Sequence, residues 1–416
     1  MPSTAQLLPA ADVVVAHPVL QHSGLAFPPL LVASIAAWAV FVVALALPER
    51  APFIGPAPAA ASGPLSSWAG PLSPSQLVTR AFAVVVLLVA ITAGRAGADD
   101  QLENLAPALV VGAAWPLLVL VSITLGPIWR WCDPWDSLAR LGARSDEGEL
   151  AGHQDDARPV WPAAVLALPW VWYLGATADP LDPRAVGLVL TVYTVVTLAG
   201  CVAVGRQRWL ATAEPLGILL GWLSLLPRGR LAGWQPPRGA EALLGVLVGG
   251  VAFGAVRRSQ QWTGVDAATG AWAYAALALA GSCAAVLALL VVGRRVARPL
   301  HGEAGVARAV VPVVAAVVVA VALGRNRLTS SLQLLPGLVG DPFGRGWDLL
   351  GPAVDGLDPA PLGVGGLLTA QVAVLVVGHL VGAVVVAWRL DRRARMPTTV
   401  VLAVLMAVTV VAVPSH

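Results

Sequence analysis

The chain has 416 residues, 57% of them hydrophobic and only 12% charged, with a formal net charge of +3 and a mean hydropathy of +0.78. Soluble domains carry about 25% charged residues. Half that share leaves too little polar surface to face water, which excludes a cytosolic enzyme, a disordered chain and a coiled coil. The composition specifies an all-α integral membrane protein, a polytopic helical bundle in a lipid bilayer, with 1–416 as a single transmembrane domain. All 26 basic residues are Arg. Without Lys there is no Walker A phosphate loop and no Schiff-base chemistry. The small net charge sits on loop arginines, which suits membrane orientation and not nucleic-acid binding. Cys132, Cys201 and Cys283 lie far apart with no metal-ligand spacing.

A hydrocarbon core of about 30 Å needs roughly 20 apolar residues of helix. Ten stretches approach that length: Pro28–Leu47, Leu77–Gly94, Leu105–Gly126, Val160–Ala178, Ala185–Gly205, Ala242–Val256, Gly270–Gly293, Ala309–Gly324, Gly365–Trp388 and Thr398–Val413. The pattern therefore predicts about ten membrane helices, with the sixth, eighth and tenth the short ones. Pro215–Leu226 and Leu328–Val339 are shorter still and read as interfacial or re-entrant helices. Residues 1–27 form an outer N-terminal segment without the basic start of a secretory signal. Residues 48–76 form a Pro/Ala-rich inner loop, 127–159 a charged inner loop with an amphipathic helix, and 325–361 an outer loop. Alternating the loops leaves Arg95, Arg184, Arg257, Arg258, Arg325, Arg327 and Arg345 outside and the other 19 of 26 inside. That asymmetry predicts a multi-pass cell-membrane protein with both termini outside.

Local patterns refine the picture. Trp129, Trp131, Trp135, Trp161, Trp209 and Trp388 fall at the proposed cytoplasmic boundary, where amphipathic rings prefer to sit. Trp135, Leu138 and Leu141 share one side of a short helix, with Asp136 and Arg140 on the polar side. Gly245, Gly249 and Gly250 in the sixth span, and Ala276, Ala280 and Ala284 in the seventh, are the expected packing faces. Pro116, Pro162, Pro169 and Pro312 are expected to kink their spans.

Five aspartates precede proline: Asp133, Asp179, Asp182, Asp341 and Asp358. Asp before Pro is first a helix start, because the carboxylate accepts free N–H groups and Pro has none to leave unpaired. Two acidic sites are richer. Trp129 to Leu141 joins tryptophans to Asp133-Pro134, and Trp209 to Leu216 repeats Trp, acid-Pro and an apolar helix around Glu214-Pro215, suggesting a degenerate internal repeat. On the outer side, Asp341 to Leu350 places Arg345 where it can pair with Asp341 or Asp348. His379, inside the ninth span, is a functional candidate by location, expected to face the bundle interior and bond a neighbouring helix. His17 and His22 are five apart, too loosely placed for a helical metal pair, so no metal site and no cofactor is expected. The candidate functional residues are thus His379, Asp133, Asp341, Arg345 and Asp348.

Ala16-His17, Asp133-Pro134-Trp135, Tyr193 to Gly200, Asp341 to Leu350 and Gly378-His379 occur in an order that resembles a family of multi-pass membrane proteins from actinobacteria and haloarchaea labelled fenitrothion hydrolase-like. The resemblance implies a membrane-bound hydrolase of organophosphorus-type esters. Where it implies further membrane histidines, in the eighth span, this chain has Arg308 and Val321. Kinked spans, small-residue packing and short re-entrant stretches instead suggest a non-catalytic permease-like or accessory component that binds a small solute or a membrane partner. The permease-like reading is the stronger of the two. The chain has no G-x-S-x-G motif for the hydrolase reading to rest on.

Overall fold

A computed structural model of the chain describes residues 29–48, 72–142 and 158–413, apart from 178, 228, 258–261, 267–269, 325–326, 348, 351–357 and 359–360. Among the described residues there are helices and turns and no strands. In hydrocarbon every backbone N–H and C=O must find a partner within the protein, and a helix supplies those partners locally. The helices are α1 Pro29–Ala46, α2 Pro74–Ala96, α3 Trp115–Leu125, α4 Trp129–Cys132, α5 Pro134–Gly142, α6 Trp161–Ala176, α7 Pro183–Val204 and α8 Arg206–Thr212. They continue with α9 Pro215–Leu223, α10 Ala240–Arg257, α11 Thr263–Asp266, α12 Ala271–Ala297, α13 Glu303–Leu323, α14 Arg327–Gly340, α15 Gly363–Ala387 and α16 Arg392–Ala412. A π-helical stretch, Pro107–Ala114, leads directly into α3.

Among the described residues each of the ten apolar stretches is helical over most of its length, the third as the π-helical stretch followed by α3. Among the described residues eight are long and apolar enough to cross a membrane, and the chain is a polytopic all-α bundle. The two that fall short are Leu30–Ala46 and Trp161–Ala176, not the three expected from the sequence. α10, α13 and α16 gain length from polar residues at their starts, such as Glu241, Glu303 and the Asp391 cap whose side chain accepts from Ala394 N at 2.8 Å.

Cross-links between loops sort the helix ends into two sets. At one end Arg184 bonds Gly97 O (2.9 Å), Arg257 bonds Ala176 O (2.8 Å) and Ala98 N bonds Phe343 O (2.8 Å). At the other, Val160 N bonds Arg238 O (2.8 Å), Arg308 Nε bonds Trp234 O (2.6 Å) and Arg395 bonds Leu47 O (2.6 Å). We call the second set the arginine-rich end. α13 is the central helix, with 83% of its apolar window buried, against 28% for α2 and for α12.

Small residues set the closest approaches. A Cβ at Gly187 would sit 2.7 Å from the Gly94 backbone, so α2 and α7 touch main chain to main chain. Gly378 and Gly382 do the same for α15 against Pro312 O and Ala309 O of α13. Gly245 and Gly249 pack on Leu287 and Cys283, as the sixth span promised. The seventh span is offset: Ala276, Ala280 and Ala284 are exposed, and Ala275, Leu279 and Cys283 make the contact. Pro162 lies in the first turn of α6, where no kink is required, and Pro116 sits where the π-helical turns give way to α3.

Candidate functional site

The site is built by two chain reversals at the arginine-rich end. α3 stops at Gly126 and α7 at Gly205, with φ of 97° and 96°. That left-handed region is open to glycine at little cost, and it turns each chain sharply out of its helix. A short helix follows each reversal, then an acid-proline pair, then a second helix: α4, Asp133-Pro134 and α5 in one case, α8, Glu214-Pro215 and α9 in the other. Each acid caps the helix after it. Asp133 Oδ1 accepts from Trp135 N (2.8 Å) and Asp136 N (2.9 Å). Glu214 accepts from Leu216 N (3.0 Å) and Gly217 N (2.5 Å). The degenerate repeat suggested by sequence is thus a repeated local design.

These reversals re-enter the bundle. α8 runs back along α7, with the Trp209 ring against Gly200, and delivers Glu214 to the hydroxyl of Tyr193. Tyr193 is halfway along α7, so the acid lies about 16 Å from the helix end at 1.5 Å per residue. In the other reversal Trp135 Nε1 donates to Thr194 Oγ1 at 3.0 Å, one residue further on. α9 is buried along nearly its whole length, not laid along an interface. α5 also departs from the expected interfacial orientation. Asp136 and Trp135 are both buried while Leu141 is 86% exposed, so the first turn of this helix is enclosed on its polar side as well as its apolar side. Trp129 and Trp135 are likewise core residues and not boundary anchors, whereas Trp161 and Trp131 remain exposed.

Asp136 faces inward because three guanidinium groups meet it. Arg80 of α2 and Arg206 of α8 bond its two oxygens, and Arg140 Nε adds a third bond at 3.0 Å. Arg80 also donates to Arg130 O at 2.6 Å. Burial pushes the Asp136 carboxyl up, but Arg80, Arg206 and Arg140 outweigh it and hold the group below the ordinary carboxylate range. Asp133 goes the other way. Burial raises it, the neighbouring Glu214 and Asp136 carboxylates raise it further, and it ends well above the ordinary range. Burial raises Glu214 too, opposed by the Tyr193 hydroxyl and the Gly217 and Leu216 N–H groups. Beside Asp133 the Cys132 thiol is pushed up to about 11, mainly by burial and then by the Asp133 charge.

Of the candidates named from sequence, only Asp133 belongs to this cluster. Asp341 shapes a turn at the opposite end, accepting from Arg345 N (3.0 Å), Gly346 N (2.6 Å) and Trp347 N (3.1 Å). Those bonds outweigh burial and lower its carboxyl. Arg345 engages Asp341 through its backbone N–H, and its guanidinium lies 5.8 Å from the Phe343 ring centroid. Asp348, His17 and His22 lie outside the described residues. His379 is fully buried between Leu375 and Ala383 on one face of α15, and its Nδ1 pairs with Leu375 O of its own helix (2.8 Å), not with a neighbouring helix. Among the described residues no three His, Cys, Asp or Glu side chains gather with the geometry to hold a metal. Sequence reasoning missed Arg80, Asp136, Tyr193 and Arg206 as site residues, and noted Glu214 only as part of the repeat. Two of them carried a signal: Arg80 is the fourth residue of the predicted span Leu77–Gly94, and Asp136 is an acid amid tryptophans.

Fold and site together define a polytopic α-helical membrane protein with a buried carboxylate–arginine cluster at two re-entrant turns. No protein-family model, no curated protein and no solved structure matches the chain.

Proposed function

We propose that the chain is a permease-like, non-catalytic component of the cell membrane that binds a small solute where the two re-entrant turns meet. The observation that carries this reading is the placement of Asp133 and Glu214, both at most 1% exposed, at the starts of two interrupted helices that penetrate from one end. Ionisable groups at membrane depth are expensive and are kept where a substrate or ion passes. Broken helices whose ends meet inside the bundle are the usual way transporters build such a site. The arginine asymmetry supports an orientation with the arginine-rich end in the cytoplasm and both termini outside. The membrane hydrolase of organophosphorus-type esters implied by the family resemblance rests on sequence pattern alone.

The test is flux into proteoliposomes carrying the full chain, using sodium, ammonium, acetate, phosphate and glycerol as probes. The proposal expects at least one probe to enter faster than into protein-free vesicles. Equal rates for all five would overturn it.

A further inference from the structure

The buried charges of the cluster do not balance. Arg80 and Arg206, 3% and 7% exposed, face three carboxylates, Asp133, Asp136 and Glu214, none more than 1% exposed. An uncompensated charge in a low-dielectric interior is costly, and one proton on one carboxylate makes the count two against two. Hydrogen bonding selects the carboxylate. Asp136 has guanidinium groups on both oxygens. Glu214 has donors on both oxygens: Tyr193 and Leu216 N on one, Gly217 N on the other. Asp133 uses Oδ1 for its two cap bonds, and its Oδ2 is fully buried without a hydrogen-bond partner among the described residues. A second polar group at the site is also without a partner among the described residues. Trp129, 7% exposed, turns its indole Nε1 toward the start of α9, where a Cβ on Gly217 would come within 3.1 Å of it and 2.6 Å of Glu214 Oε2.

We propose that Asp133 is a proton-binding site, carrying an exchangeable proton at neutral pH while Asp136 and Glu214 remain carboxylates. Resting on the permease reading, this makes the proton the coupling ion of the solute site. The groups facing Asp133 are Arg80 from α2, Tyr193 and Cys201 from α7, Glu214 at the start of α9, and Cys132 and Asp136 from its own segment, with Arg206 of α8 and Arg140 reaching the cluster through Asp136. Release leaves the O–H bonding pair on Oδ2 and sends the proton to water at the arginine-rich end. The third negative charge is then matched by Arg140, which sits at the rim with its side chain 22% exposed. With Arg140 counted in both states, the cluster is three arginines against two carboxylates when Asp133 is protonated and three against three when it is not. The excess in the first state falls on the partly exposed Arg140 and not on a fully buried group, so both states of Asp133 are electrically tolerable. That is the requirement for a group that exchanges its proton.

Infrared spectroscopy of the purified full chain tests this without reference to transport. A protonated carboxyl gives a carbonyl stretch above the amide band that shifts in deuterium oxide. The proposal expects this band in the wild type at neutral pH, its loss at alkaline pH, its absence in Asp133→Asn and its retention in Glu214→Gln. Asn keeps the Oδ1 cap, and Asp133→Glu provides a second check, expected to shift the band and not remove it. Absence of the band in the wild type at every pH, or its loss in Glu214→Gln alone, would overturn the proposal. A missing band with flux intact defeats the proton site and leaves the permease reading standing; a band without flux does the reverse.

Discussion

Asp136→Asn is the perturbation to which this fold is most exposed. The carboxylate is fully buried and receives Arg80, Arg140 and Arg206 from three elements, so it joins α2, α5 and α8. Asn keeps the shape and one oxygen but turns an N–H₂ toward a guanidinium and removes the charge. Removing one partner of a buried ion pair leaves the other uncompensated, at about 3–5 kcal/mol. Arg80 keeps its bond to Arg130 O, which places the expected loss toward the lower part of that range. Unfolding of the detergent-purified protein by SDS, followed by tryptophan fluorescence, measures it. Arg206→Met added to Asp136→Asn removes one stranded charge, so the double variant should be more stable than the sum of single losses by about 0.5–3 kcal/mol. An Asp136→Asn protein within about 1 kcal/mol of wild type, or strict additivity, would refute the reasoning. The pH dependence has a fixed sign. The depressed pKa of Asp136 gives stability that is present above the ordinary carboxylate range and is lost as pH falls through the folded value. Asp136→Asn should lack that acid limb.

Asp133 should act with the opposite sign. Its raised pKa means the folded state holds a proton the unfolded state releases, so stability falls as pH rises from the ordinary carboxylate range through the folded value. The same unfolding assay should find a shallower slope in Asp133→Asn, and an unchanged slope contradicts the assignment. Asp133→Ala also abandons two cap bonds and should cost about 1 kcal/mol more than Asn, read from SDS midpoints. Gly187→Ala drives a Cβ into the Gly94 backbone and should destabilise by about 1–3 kcal/mol, visible as loss of monodisperse protein on gel filtration. His379→Leu should be neutral or stabilising, because Leu375 O keeps its place in the helix and Nε2, which has no partner among the described residues, disappears. A thermal midpoint well below wild type would show that Nε2 has a partner worth keeping.

Sequence reading found the spans because hydrocarbon thickness imposes length and composition on every crossing helix. It misjudged lengths where caps such as Asp391 draw polar residues into a helix. At α5 the periodicity correctly grouped Trp135 with Leu138 as a packing side, but it could not say that the polar side is enclosed as well. That depends on Arg80 and Arg206, 56 and 70 residues from Asp136 in the chain. Ala276, Ala280 and Ala284 failed for a related reason: small residues are admitted on a lipid-facing side as readily as on a packing face, and Gly249 chose Cys283. Asp133 was legible as a cap and is one. Its place beside Glu214 was not, because the partnership requires both chain reversals to form.

The most direct test of the account is solute flux in proteoliposomes of Asp133→Asn and Glu214→Gln, each matched to wild type for amount and SDS stability. If the two acids line a working site, both variants lose the flux that the wild type shows. Wild-type rates in both variants would mean that the carboxylates only cap α5 and α9, and that the solute path lies elsewhere.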